Sequence, residues 1–149
     1  MIVLDDMPAN SELLEIRFNR AKKSGIEAEF VSIGVNYGSD VVSLFKAFKE
    51  ADSGENPSIV VLALDGNLDP GDKYQFGYNV AQDIADISNV NNWPIPLIVG
   101  LSDQNERNQA LETQFPNNYV TSYGKTGDFL PMLKAIADKL TLGIRKLLI

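Results

Sequence analysis

The sequence predicts an α/β fold: a doubly wound, five-stranded parallel sheet of (βα)5 order with helices on both faces. Three observations predict it. Five short apolar runs alternate with five helical patterns along the 149 residues, and strict alternation of this kind implies parallel strands joined by right-handed helical crossovers. The central run Ile59-Val60-Val61-Leu62-Ala63-Leu64 is apolar at every position, as a strand covered on both faces must be. No internal repeat or low-complexity segment interrupts the pattern, so residues 1–140 read as one domain and 141–149 as a helix extension or tail.

Met1 to Leu4 reads as the first strand, ending on Asp5-Asp6. Residues 10–23 read as the first helix, with Leu14, Phe18 and Ala21 at i, i+4 and i+7. Pro8 suits its start and Gly25 its end. Ile26 to Ile33 is the second strand, and Ser39 is placed to cap a second helix with the stripe Val41, Leu44, Phe45, Phe48. After the central strand Ile59 to Leu64, a long loop runs from Gly66 to Gln75, with Asp69 and Asp72 expected in solvent. Phe76, Val80, Ile84 and Ile87 mark the third helix, followed by a mostly polar insertion from Ser88 to Trp93. Ile95 to Leu101 is the fourth strand, and Ser102 or Asp103 caps a polar helix through Gln114. Tyr119 to Tyr123 is the fifth strand; Phe129, Leu133, Ile136 and Leu140 give the last helix its apolar face, with Pro131 tolerated in the first turn. The apolar tail with Arg145 and Lys146 has three readings: a longer last helix, a contact with a second subunit in a homodimer, or a lead towards an effector module.

Hydrophobic residues at 44% and charged residues at 22% fit a globular chain that can bury a core. Histidine and cysteine are both absent. This excludes His-based triads, His-ligated zinc, a phosphohistidine, disulfides and a cysteine nucleophile. A net charge of −7 speaks against direct nucleic-acid binding, which needs a basic footprint, and favours basic or mixed-charge protein partners. The apolar runs are strand-sized, far short of a membrane span, and no secretory signal is visible, so the expected location is cytoplasmic.

In an open parallel sheet, ligands bind beyond the carboxyl ends of the strands. The suggestive polar residues fall there: Asp5 and Asp6 after strand one, Asp65 after strand three, Ser102 after strand four and Lys125 after strand five. Crowded carboxylates raise one another's pKa, and a hard divalent cation such as Mg²⁺ relieves that. The same ion can bridge to a phosphoryl oxygen, and a carboxylate can itself be the nucleophile. Ser102 is suited to donate to a phosphoryl oxygen and Lys125 to pair with another.

These residues resemble the receiver domains of two-component response regulators, over about residues 1 to 140. Ile2-Val3-Leu4-Asp5-Asp6-Met7-Pro8-Ala9-Asn10 is similar to the family's acidic pair with its following Pro and Asn. Leu64-Asp65-Gly66-Asn67-Leu68 is similar to the phosphoacceptor segment, and Val99-Gly100-Leu101-Ser102 to the end of strand four. The resemblance implies a flavodoxin-like, receiver-type fold and phosphorylation of Asp65 in a Mg²⁺-dependent reaction. Asp5, Asp6, Asp65 and the Asn67 carbonyl would hold the metal; Ser102 and Lys125 would act on the phosphoryl group. The donor would be a sensor histidine kinase or phosphotransfer protein acting in trans. The output would be a switched face of helix four, strand five and helix five, read by a downstream protein or an effector domain outside this chain.

Alternatives remain at three points. Counting from Pro57 puts Ala63 at the acceptor position, which would make the domain a pseudo-receiver acting as a phosphorylation-independent interaction module. Counting back from the last helix puts Ser122 at the family lysine, with Tyr119 as switch aromatic; with Lys125 there instead, Ser122 takes the aromatic position and Thr126 replaces the usual proline. Taken singly, Asp5-Asp6 reads as helix capping, Asp65-Gly66 as a turn and Ser102 as an N-cap. Gly124-Lys125-Thr126 mimics the end of a P-loop, but Tyr119 stands where the first glycine is required.

Overall fold

The computed structural model describes residues 1–21, 31–52, 59–125 and 127–147. Strands β1 (Ile2–Leu4), β2 (Ile33–Val35), β3 (Val61–Leu64), β4 (Leu97–Gly100) and β5 (Tyr119–Ser122) alternate with helices α1 (Pro8–Ala21), α2 (Gly38–Ala51), α3 (Gly77–Asn91), α4 (Asn105–Gln114) and α5 (Leu130–Leu147). All pairings are parallel, in the order β2-β1-β3-β4-β5. The direction of winding reverses at β1, whose neighbours are β2 and β3, and that opens a crevice above their carboxyl ends.

Side chains alternate across a strand, so each strand feeds both faces of the sheet. Ile2, Leu4, Leu62, Leu64 and Ile98 pack with Val41, Phe45, Val80, Ile84 and Leu111 of α2, α3 and α4. Val3, Val61, Ala63, Val99 and Leu101 pack with Leu14 and Phe18 of α1 and with Met132, Leu133 and Ile136 of α5. Burial of each large side chain contributes about 1.5–3 kcal/mol. Phe18 also meets Tyr123 and Phe129 edge-to-face at 5.7 and 6.2 Å between centroids, tying α1 to the chain on either side of the β5–α5 loop.

Several element boundaries depart from the sequence reading. The second strand is only Ile33–Val35; residues 22–30, including the expected start of that strand and the Gly25 stop, lie outside the described residues. Ser39 does not cap α2. Its N-cap is Tyr37, which makes no side-chain cap, and the Gly38 N–H donates instead to Asp72 Oδ2 at 2.7 Å. Asp72 is therefore half-buried rather than solvated: Oδ1 also accepts from the Tyr74 N–H at 3.2 Å, so one carboxylate joins the β3–α3 loop to the start of α2. The polar stretch from Ser88 is helix to Asn91, because the Ser88 hydroxyl satisfies itself on the Ile84 carbonyl at 2.7 Å. Asn92, at φ 55°, then ends α3 in the left-handed conformation that asparagine tolerates. The backbone of α5 continues unbroken through the first residues of the tail to Leu147.

Candidate functional site

The sheet itself positions the acidic residues. The Asp5 N–H donates to the Val35 carbonyl at 3.2 Å and the Asp65 N–H to the Leu4 carbonyl at 2.9 Å, so the ladder runs one residue past both strands. Asp5 is fully buried, Asp65 is 7% exposed and Asp6 is half-buried. One carboxylate oxygen from each of Asp5, Asp6 and Asp65 lies within 4.8 Å of the others. Ala63, by contrast, is wholly buried in the core beneath α1 and α5 and stops short of this edge.

Lys125 enters the same cluster. Its Nζ is 2.8 Å from Asp5 Oδ2 and 3.3 Å from Asp65 Oδ2. Ser122, which counting back from the last helix puts in that place, is exposed and bonds the Tyr119 hydroxyl instead. One residue of this three-residue displacement comes from a bulge. The β4–β5 register slips between Ile98 and Val99, which pair with Tyr119 and Thr121, so Val120 is an extra residue in β5. The Tyr123 N–H then donates to the Gly100 carbonyl at 2.8 Å, extending the ladder and carrying Lys125 over the site.

Electrostatics follow from this packing. Burial pushes the Asp65 carboxyl up to about 6; Lys125 opposes the rise, Asp5 adds to it, and a hydrogen bond from the Gly66 N–H to Oδ1 (2.8 Å) opposes it. Burial lowers the Lys125 ammonium, but its pairing with Asp5 and Asp65 prevails and the net shift is upward. Asp5 Oδ1 accepts from the Met7 N–H at 2.9 Å. Beyond the ammonium, the buried Asp5 Oδ2 receives no hydrogen bond of good geometry from the described residues. A buried oxygen short of donors, facing two further carboxylates, is the kind of donor set a hard, oxygen-preferring cation takes. The residues present thus fit Mg²⁺.

Ser102 is 8% exposed and is held by a residue the sequence reading missed. Asn108 of α4 accepts from the Ser102 N–H at 3.1 Å and donates to the Ser102 carbonyl at 2.9 Å. A Cβ at Gly100 would meet Asn108 Oδ1 at 2.4 Å, so the glycine at the end of β4 is what admits the amide. The sequence carries a trace of this: Asn108 sits three residues before Leu111 on the buried stripe of α4, where an apolar residue is expected. Ser102 is not itself the N-cap of α4, which is Gln104; its Oγ accepts from the Gln104 N–H at 3.1 Å, leaving the hydroxyl proton for another acceptor. A Cβ at Gly66 would lie 2.7 Å from Ser102 Oγ, so the hydroxyl borders the residue after Asp65. Asn67, next in the chain, is half-buried and forms an isolated antiparallel bridge with Phe76. Two further positioning contacts had no sequence signature: Asn36 Nδ2 donates to the Asp5 carbonyl at 3.0 Å, and Arg17 Nη1 to the Lys125 carbonyl at 3.0 Å.

No family model matches the sequence, and no curated protein matches it. Among solved structures, the chain is similar to the bacteriophytochrome response regulator AtBRR, with a TM-score of 0.55 and 20% identity over 92% of this chain and 89% of that one. At that identity the likeness is one of architecture. With five parallel strands in the order β2-β1-β3-β4-β5 and helices on both faces, the chain has the flavodoxin-like fold of receiver domains.

Proposed function

We propose that this protein is a two-component receiver domain that takes a phosphoryl group on Asp65 from a sensor histidine kinase or phosphotransfer protein, and so switches a protein-interaction face. The observation that carries the reading is the convergence of Asp5, Asp6 and Asp65 with Lys125 at the reversal point of a receiver-type sheet. In this reading Asp5, Asp6 and Asp65 hold Mg²⁺ together with the Asn67 carbonyl. When bound, the ion neutralises charge on the transferring group and orients it.

The chain's own residues do the rest. A carboxylate oxygen of Asp65 attacks phosphorus as the bond from phosphorus to the donor nitrogen breaks, its electron pair leaving with the donor imidazole. The product is an acyl phosphate. With its pKa near 6, Asp65 is mostly ionised at neutral pH and can act as the nucleophile. Lys125 Nζ shifts its pairing from Asp65 towards a phosphoryl oxygen, and the Ser102 hydroxyl donates to another. A group carrying about −1.5 to −2 charge then pulls on Ser102, which Asn108 couples to α4. The switched face is that of α4, β5 and α5, read by a downstream protein or an effector domain. Among the described residues no helix is long and apolar enough to cross a membrane; a cytoplasmic location belongs to this proposal.

The test is exposure of the full chain to acetyl phosphate with and without Mg²⁺, read by intact mass. A gain of one phosphate that requires Mg²⁺ and is lost in Asp65→Asn is the expected result. No gain in the wild type would leave a pseudo-receiver, an interaction module independent of phosphorylation.

A further inference from the structure

Against Gly66, the residue that follows Asp65, packs the stem of a second cation that the proposed chemistry does not use. Arg107, in the first turn of α4, lies across Gly66: a Cβ at Gly66 would meet Arg107 Cβ at 2.4 Å and Cγ at 2.7 Å. Only glycine at that position lets the arginine stem lie so close to the backbone beside the candidate acceptor. From there the guanidinium stacks on the Phe76 ring, with Cζ 4.0 Å from the centroid, and Phe76 stacks in turn on Tyr78 at 5.2 Å. Arg107 therefore bridges from α4, over Gly66 and beside Ser102, to the start of α3.

The Arg107 Nε is buried and has no hydrogen-bond partner among the described residues. A buried donor without an acceptor is costly, and guanidinium donors are well matched to phosphoryl oxygens. Asp65 Oδ1 accepts from the Gly66 N–H at 2.8 Å, and both the Ser102 hydroxyl and the arginine stem border Gly66, so the three side chains share that one residue as a neighbour. We propose that Arg107 is an anion-responsive clamp: it engages a phosphoryl oxygen on Asp65 and shields that group from water on the side of Gly66 and Ser102. This rests on the phosphoacceptor reading above. The step slowed is hydrolysis, in which a water oxygen attacks phosphorus, the bond from phosphorus to Asp65 breaks, and Asp65 leaves as carboxylate. The water's proton goes to the inorganic phosphate or to solvent.

The test compares wild type, Arg107→Met and Arg107→Lys as full chains. The Met variant removes the guanidinium, and the Lys variant keeps a charge but lacks Nε. Beryllofluoride with Mg²⁺ is titrated while the ¹⁵N resonances of the Arg107 Nε–H and the Gly66 amide are followed. Separately, acyl-phosphate decay is measured after acetyl phosphate is removed. The clamp predicts a shift of the Nε–H resonance on beryllofluoride binding. It also predicts weaker binding and faster decay, each by about fivefold to tenfold in Arg107→Met, with Arg107→Lys between it and wild type. Should Arg107→Met prove unfolded, the wild-type Nε–H resonance and the Lys variant decide. Wild-type beryllofluoride binding with an unmoved Nε–H, or with variants that titrate and decay like wild type, overturns the clamp and leaves the phosphoacceptor standing. A wild type that neither binds beryllofluoride nor gains phosphate overturns both.

Discussion

Arg17 of α1 donates through Nη1 to the backbone carbonyl of Lys125 at 3.0 Å, across 108 positions of sequence. The bond fixes the main chain from which the Lys125 ammonium reaches Asp5 and Asp65. The lysine is therefore held at both ends, its carbonyl by α1 and its Nζ by the acidic pair. Phe18, the next residue on α1, packs edge-to-face on Tyr123 just before the loop, so polar and apolar contacts hold the same junction.

Removing Arg17 should loosen that loop without touching the acidic cluster. Arg17→Ala is expected to lower stability by about 1–2 kcal/mol, as for a partly buried hydrogen bond from a charged group. Acetyl-phosphate labelling should slow several-fold, but less than on loss of Lys125 itself. Urea denaturation and the labelling rate, measured on the same preparations, check both, and an unchanged rate would count against the positioning role.

Lys125 pairs with two carboxylates whose side chains are only 0% and 11% exposed. Lys125→Met leaves Asp5 and Asp65 facing each other uncompensated, and without divalent metal it should cost about 2–4 kcal/mol. Mg²⁺ should restore more stability to the variant than it adds to wild type, because the cation no longer competes with an ammonium. Thermal unfolding with EDTA and with millimolar Mg²⁺ measures the difference. Equal responses in both proteins would mean that lysine and metal do not share a site.

The parts of this site that were legible in the sequence are those fixed by strand ends. Asp5, Asp65 and Ser102 follow strongly apolar runs, and the sheet ladder carries their backbones with little freedom, so the points where continuous apolar runs end locate them. Lys125 was legible only as one of two candidates. A bulge between Tyr119 and Thr121 shifts the register, and no pattern in Tyr119 to Ser122 marks it. Strand β2 was misjudged because it is three half-buried residues, Ile33, Gly34 and Val35, without a continuous apolar run. Asn108, Arg17 and Asp72 act on partners distant in sequence or on backbone atoms, and local propensity encodes neither.

Asp72 gives a test of such a long-range contact. It accepts, from the β3–α3 loop, the Gly38 N–H at the start of α2, the helix end that the sequence pattern assigned to Ser39 as cap. Asp72→Ala should cost about 1 kcal/mol, the usual effect of losing a helix cap, whereas Ser39→Ala should be nearly silent. Hydrogen exchange would show faster opening of the first turn of α2 in the Asp72 variant. The reverse ranking of the two substitutions would return the cap to Ser39.

The pH dependence of stability follows from Asp65. Burial raises its folded-state pKa from the ordinary 3.8 to about 6. Between those values the folded protein holds a proton that the unfolded chain has released, so this residue's contribution is most favourable at the acid end and falls as pH rises through the window. A full pKa unit corresponds to about 1.4 kcal/mol, and solvent screening at a partly open site brings the expected loss to about 1–2 kcal/mol. In metal-free protein, Asp65→Asn should therefore be more stable than wild type at pH 7 by about that amount and nearly equal to it at pH 4. Mg²⁺ should remove the difference, since the cation stabilises the ionised wild-type carboxylate and the amide cannot replace it. Urea denaturation of both proteins at pH 4, 5, 6 and 7, with EDTA and with Mg²⁺, measures the slope. A wild type that gains stability relative to Asp65→Asn as pH rises in EDTA would show that Lys125, not burial, dominates the carboxylate.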